Sequence, residues 1–282
     1  MTACDSQTTQ RSSGFARLSP FVIVMCVAGA AAACAPKTLK LPEGPSSPIA
    51  DPSTIATDAF GHCSNVHSLT LEIGLSGKVG NTRLRGRLHA GFREPDAIRL
   101  EAVAPFGAPF FILAGSDDKA TLLLARDDRV LADATPGAVI EALTGLNLAP
   151  ADLRAWLVGC PAPTVEIKAA RAFGDRWAAI DLAEGRVAWV QRTDRWRLVA
   201  LETGQLSTEF LDSAATQPQR VRIRHDVTAS TPAVDARLAI SQVEANVDLP
   251  AAAFTVTVPG SAAPITLDEL RASGPLKDAQ PR

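Results

Sequence analysis

Tyrosine is absent from the 282 residues, and aromatic side chains as a whole make up only 5% of them. The four histidines, His62, His67, His89 and His225, are scattered, and no CxxC or HExxH spacing accompanies them, so no metal site is signalled. Equally missing are a GxSxG elbow, a Walker loop and a His–Cys pair in a recognisable context. Asp–Glu pairs are plentiful, but none is marked by its spacing. No catalytic residue and no cofactor is therefore assigned, and the chain reads as something other than an enzyme. A formal net charge of −2 gives no sign of a nucleic-acid binder.

Long hydrophobic runs are scarce as well. The mostly apolar stretch from Phe21 to Ala33 is 13 residues long, against the roughly 20 needed to span a bilayer, and no later segment reaches that length. Arg11 and Arg17 precede it and small residues end it, so residues 1–33 read as an export signal. Ala31-Ala32-Ala33-Cys34 resembles a bacterial lipobox, in which the cysteine becomes the acylated first residue, although the same alanines would serve an ordinary secretory peptidase. Cys26 is the poorer candidate, because the bulky Met25 precedes it inside the apolar run. Residues 34–58, rich in Pro, Ser, Ala and Thr, read as a flexible tether.

Cysteine is sparing too, with five in the chain. Cys4 and Cys26 leave with the signal and lipid would consume Cys34, so Cys63 and Cys160 remain. In an oxidising envelope compartment this even pair is a candidate disulfide, tying the start of the first strand to the end of a helical segment. The alternative is two separate buried thiols.

What the chain has in quantity is alternation. Leu69, Leu71, Ile73 and Leu75 face one way while Thr70 and Glu72 face the other, and Leu84, Gly86 and Leu88 oppose Arg83, Arg85, Arg87 and His89. Ile98, Leu100 and Ala102 repeat the pattern against Arg99 and Glu101, and FFILAG and ATLLLA form a hairpin about Ser116 to Lys119. Thr135-Pro136 then starts a short helix that stops at Gly145, and a second runs from about Pro150 to Gly159 with Leu153, Trp156 and Leu157 on one stripe. Strands resume with AAIDLA, RVAWVQ, RWRLVALE, QLSTEFL, QRVRIRH, Val234 to Val247 and FTVTV. The expected fold is mainly β: an antiparallel, incomplete, half-open barrel of about 10–12 strands over residues 59–260, with a short helical lid at 136–158. In the tail, residues 261–282, Thr266 and Glu269 form a capping box for one short helix.

Two stretches in this order resemble one family. The turn Ala104-Pro105-Phe106-Gly107 is similar to the asparagine-proline-leucine-glycine loop of the LolB family of outer-membrane lipoprotein receptors. Leu143-Thr144-Gly145, Leu153-Arg154, Trp156, Gly159 and Pro161 are similar to that family's later motif. The close match spans about 60 residues, Ile98 to Pro161, and NVDLPAAAFTVTVP resembles the last strand of the wider LolA/LolB-like superfamily. The stretch after Pro161 is longer than the receptor pattern requires, which points to a divergent relative.

The resemblance implies a barrel whose concave side holds acyl chains beneath the lid, with bound lipid the only ligand. Leu71, Ile73, Leu84, Leu100, Phe111, Leu122, Leu124, Leu153 and Trp156 would line cavity and lid. Phe106, with Pro105 and Gly107, would engage membrane or cargo, unless the turn folds back and Phe106 caps the core. The implied partners are membrane lipid through acylated Cys34, a lipoprotein or lipid cargo, and a periplasmic LolA-like carrier. Ala35 after Cys34, in place of a retention-type Asp, favours the periplasmic face of the outer membrane. A barrel that is packed solid and serves as a structural or interaction module is the other outcome. Cavity volume separates the two.

Overall fold

Strands form where large apolar and polar residues alternate, and the computed structural model lays them out as one continuous sheet. It describes residues 39–273 apart from 104–105, 107, 117, 147, 162–165, 213–218 and 227–232. Strand β1 (Ser47–Pro48), helix α1 (Ser53–Phe60) and a 3-10 turn (Gly61–Asn65) come first. The first meander follows: β2 (Ser68–Val79), β3 (Thr82–Arg93), β4 (Ala97–Val103), β5 (Phe111–Ser116), β6 (Lys119–Leu124) and β7 (Arg129–Ala134). After α2 (Pro136–Thr144) and α3 (Pro150–Val158) the second meander contains β8 (Ile167–Phe173), β9 (Trp177–Leu182), β10 (Arg186–Arg192) and β11 (Trp196–Thr203). It ends with β12 (Leu206–Leu211), β13 (Arg220–His225) and β14 (Val234–Ala245), and β15 (Ala263–Pro264) and α4 (Leu267–Ser273) complete the described chain.

The strand order is β1-β8-β9-β10-β11-β12-β13-β14-β2-β3-β4-β5-β6-β7-β15. Every pairing is antiparallel except β15 on β7. Among the described residues the two meanders join only through the β14–β2 ladder, so β7 and β8 become the outermost long strands, each partly covered by a two-residue strand. Each of these short strands pairs with two residues of its neighbour. Helices α2 and α3 connect β7 to β8, the outermost long strands of the sheet. They cross the open side of the curl for that topological reason.

Both helices start where their prolines predict and stop at glycines in the left-handed region, Gly145 at φ 74° and Gly159 at φ 67°. The Thr135 hydroxyl accepts from the Ala138 amide at 3.2 Å, satisfying one of α2's orphan donors. Their buried faces, Val139, Ile140 and Leu143 from α2 and Trp156 and Leu157 from α3, share one core cluster with Leu69, Leu71, Ile73, Ile98, Leu113 and Leu122 of the sheet. Burying each such side chain is worth about 1.5–3 kcal/mol, which stabilises helices too short to persist alone.

The structure departs from the sequence expectation in four places. Residues 34–58 were expected to be a tether throughout, yet β1 pairs with β8 and α1 packs on β11. Asp58 accepts from the Trp196 amide at 2.7 Å. Buried Ala56 and Ala59 are too small to mark a helix stripe, so the foldable region begins earlier than Ala59. Strand β8 was missed, because IKAARAF buries only Ala170 fully and shows little contrast between its faces. FTVTV is not a strand: Ala251–Phe254 forms a 3-10 turn, and the segment lies across the sheet's outer side. There Arg99 donates to the carbonyls of Ala253 and Thr255 and Arg93 to that of Leu249, so arginine side chains replace a ladder. The sheet has fifteen strands among the described residues against the expected 10–12, the excess being chiefly the two-residue pieces and β8.

Candidate functional site

Val103 ends β4 opposite Arg87, and the chain returns when the Phe110 amide donates to the Ala102 carbonyl at 2.9 Å. Between these points Phe106 is 89% exposed. Arg126, just beyond β6, braces the turn: its Nε donates to the Ala108 carbonyl at 3.2 Å and its guanidinium NH2 to the Phe106 carbonyl at 3.3 Å. The same guanidinium lies 3.9 Å from the centre of the Phe110 ring. Phe106 thus points outward from a tethered turn and does not cap the core. Pro105 and Gly107 lie outside the described residues, as does Cys34.

An apolar path leads inward from this tip. Phe111 pairs with Ala102 and Ala102 with Leu88, so these residues share the concave side with Leu75 and Leu84. Phe111, Leu75, Leu84 and Leu88 are all half-buried against the core cluster. Of the nine residues expected to line cavity and lid, Leu71, Ile73, Leu100, Leu122 and Trp156 are buried, while Leu84, Phe111, Leu124 and Leu153 are half-buried. All nine belong to or pack against one continuous core, with the lid seated on it. Two clefts among the described residues lie elsewhere. One, of about 860 Å³, is lined by α1 and the β10–β11 turn, and the other, of about 380 Å³, includes Glu72, His89, Arg99 and Phe254. Both are open and partly polar.

Two devices hold the lid. Cys63 and Cys160 form a disulfide with Cα atoms 5.6 Å apart, linking the turn before β2 to the residue after α3 and its glycine cap. His62 Nε2 lies 3.6 Å from Cys63 Sγ and 3.9 Å from Cys160 Sγ. With the sulfurs bonded to each other, this trio offers no thiolate to a metal. Arg154, from the middle of α3, donates to the Val66 carbonyl at 2.6 Å and to Glu94 Oε1 at 3.0 Å, while Glu94 Oε2 meets His67 Nδ1 at 2.8 Å. The bond from His67 is the largest cause holding the Glu94 carboxyl below its usual range; burial opposes it, and the bond and charge of Arg154 add to the lowering. Sequence reasoning quoted Arg154 only as part of a motif and did not foresee Glu94, His67 or Arg126. Their partners are 60, 27 and 20 residues away, and no local pattern marks them.

This chain thus combines an open antiparallel sheet, a helical connection between its outer strands and an apolar residue projecting from a braced turn. The family model described as "Outer membrane lipoprotein LolB" matches residues 71–242, which include both meanders, the Phe106 turn and the lid. The chain belongs to the LolB family. Solved structures similar to it include a LolA superfamily protein from Nitrosomonas europaea, at 9% identity and TM-score 0.46, covering 72% of this chain and 94% of that one. A domain described as an outer membrane lipoprotein-sorting protein from Vibrio parahaemolyticus is similar at 14% identity and TM-score 0.41, with 67% and 89% covered. The lipoprotein LppX of Mycobacterium tuberculosis is similar at 10% identity and TM-score 0.31, with 71% and 100% covered. Comparison with curated protein sequences returns no match.

Proposed function

We propose that this chain is a bacterial envelope lipoprotein that takes acyl chains of a lipoprotein or lipid into the space between lid and sheet. Acylation of Cys34 would hold it at the periplasmic face of the outer membrane, and a periplasmic LolA-like carrier would deliver the cargo. Transfer needs no covalent chemistry. Apolar burial drives it, and the difference in affinity between carrier and receiver sets its direction.

The observation that carries this reading is the half-buried strip of Phe111, Leu88, Leu84 and Leu75, which runs from the exposed Phe106 into a core closed by the lid. Because lid residues share the core cluster with the sheet, entry would require α2 and α3 to lift, and the Cys63–Cys160 bond makes the end of α3 the fixed side of such a movement. The same shared cluster supports the second reading, a solid barrel that acts as an interaction module.

Brominated fatty acid added to the full chain separates the two. Quenching of Trp156 fluorescence, lost in Trp156→Phe, is the expected result, together with lipid masses on the chain in native mass spectrometry of envelope-purified protein. A chain that carries no lipid and shows no quenching is the solid module.

A further inference from the structure

Strands β13, β14, β2 and β3 are consecutive in the sheet, and the alternation that turns Val221, Leu238 and Ile73 inward turns their polar neighbours out. Register then aligns three rows across the four strands. Arg222 stands opposite Arg237, Arg237 opposite Ser76, and Ser76 opposite Arg85. On one side of this row run Arg224, Asp235, Lys78 and Arg83, and on the other Arg220, Ala239, Gly74 and Arg87. Eight cations thus occupy a twelve-position lattice whose only carboxylate is Asp235. Strand and residue spacings make it about 14 Å on each side, not much larger than a Debye length in physiological salt.

The β13 row is internally compensated. Arg220 pairs with Asp212, Arg222 with Asp235 at 2.9 Å, and Arg224 with Glu209 at 2.5 Å, Glu209 being only 2% exposed. Lys78, Arg83, Arg85, Arg87 and Arg237 are exposed and have no carboxylate in salt-bridge range among the described residues. Elsewhere the sheet mixes signs, as in Arg171–Asp181, His89–Glu72 and Arg99–Glu101. Like charges facing each other across a ladder, such as Arg222 and Arg237, destabilise a sheet. The carboxyl of Asp235 is held below its usual range, first by its bond to Arg222 and further by the charges of Arg237 and Arg224. The patch therefore keeps five cations that no carboxylate among the described residues pairs, in a protein whose formal net charge is −2.

We propose that this outer face of β13–β14–β2–β3 docks on an anionic phospholipid surface. A protein interface of comparable strength would need large apolar or aromatic anchors at its centre, and here the two inner strands present Asp235, Arg237, Ala239, Lys78, Ser76 and Gly74, none of them a large apolar or aromatic residue. Long cations over a floor of small residues suit a fluid array of phosphates, which demands charge but no fixed shape. Val103 ends β4 opposite Arg87, so Phe106 projects at the lattice margin and adds apolar insertion to the electrostatic attraction. The surface acts in this way whether or not the core takes up acyl chains.

Flotation of the full chain carrying Cys34→Ser, with vesicles of phosphatidylcholine alone or mixed with phosphatidylglycerol, tests the proposal. Partition into the mixed vesicles should be much the stronger and should fall as salt is raised. Each cation near an anionic surface contributes on the order of fivefold, so Arg83→Gln, Arg85→Gln and Arg87→Gln together should weaken it on the order of a hundredfold. The corresponding three Arg→Lys changes should retain binding, as should Arg176→Gln in a turn outside the lattice. Equal partition into both vesicle types, or a glutamine triple that binds as the parent does, overturns the proposal. Salt-sensitive capture by an acidic protein without any preference for mixed vesicles overturns it in favour of a protein partner.

Discussion

Phe106 has little packing to lose, so its replacement separates function from folding. Phe106→Glu should change the urea midpoint by no more than about 0.5 kcal/mol equivalent, while delivery of acylated cargo to vesicles falls away. Trp156 is the opposite case: at 1% exposure it sits where lid meets sheet. Trp156→Ala should cost about 3–5 kcal/mol in urea unfolding. Glu94 brings a pH dependence with a definite sign. Its folded pKa lies below the unfolded value, so its contribution is present above the ordinary carboxyl range of about 4.3 and is lost as pH falls through the depressed folded value. Urea midpoints followed from neutral pH downward should drop less steeply for Glu94→Gln than for the parent. Of these three residues, the sequence marked Phe106 and Trp156 because a turn tip and a helix stripe are local. Glu94 could not be marked, because His67 and Arg154 reach it only after folding.

Helices α2 and α3 were legible as elements, since Thr135, Pro136, Gly145, Pro150 and Gly159 punctuate them. What they cover was not. Their cover depends on where β7 and β8 finish, and that follows from the β14–β2 ladder between residues 160 or so apart. The disulfide between residues 97 apart in sequence fastens one end of this element. Cys160→Ser should therefore lower the unfolding free energy by about 2–5 kcal/mol, read from denaturant curves under oxidising conditions. Loss of the cap in Thr135→Ala should cost about 1 kcal/mol in the same assay. Strand β8 and the segment 251–258 misled for opposite reasons. The first is too alanine-rich to alternate visibly, and the second alternates well but has its carbonyls taken by Arg99 before any strand can pair with it.

On the scale of the molecule, residues of both meanders and of the lid form one core cluster, which predicts a single cooperative unit. The tryptophans provide a test, because all four, Trp156, Trp177, Trp189 and Trp196, lie in the lid or the second meander. If the meanders unfolded separately, tryptophan fluorescence would report only one of them while far-UV circular dichroism reported both. The two urea transitions should coincide. Among the described residues the β14–β2 ladder is the only sheet connection between the halves, so separated transitions would locate the weakness there.

By itself the sequence determined the period-2 strands, the capped helical interruption, the two cysteines available to pair and the apolar turn, because each is written in residues near one another in the chain. Only the tertiary structure decided that the lid connects the sheet's outer long strands, that lid and sheet residues share one core cluster, and that cations from four strands align into one lattice. Those depend on register and on which strands become neighbours. Neither can be read locally, because a shift of one residue would send every arginine of a strand to the opposite face.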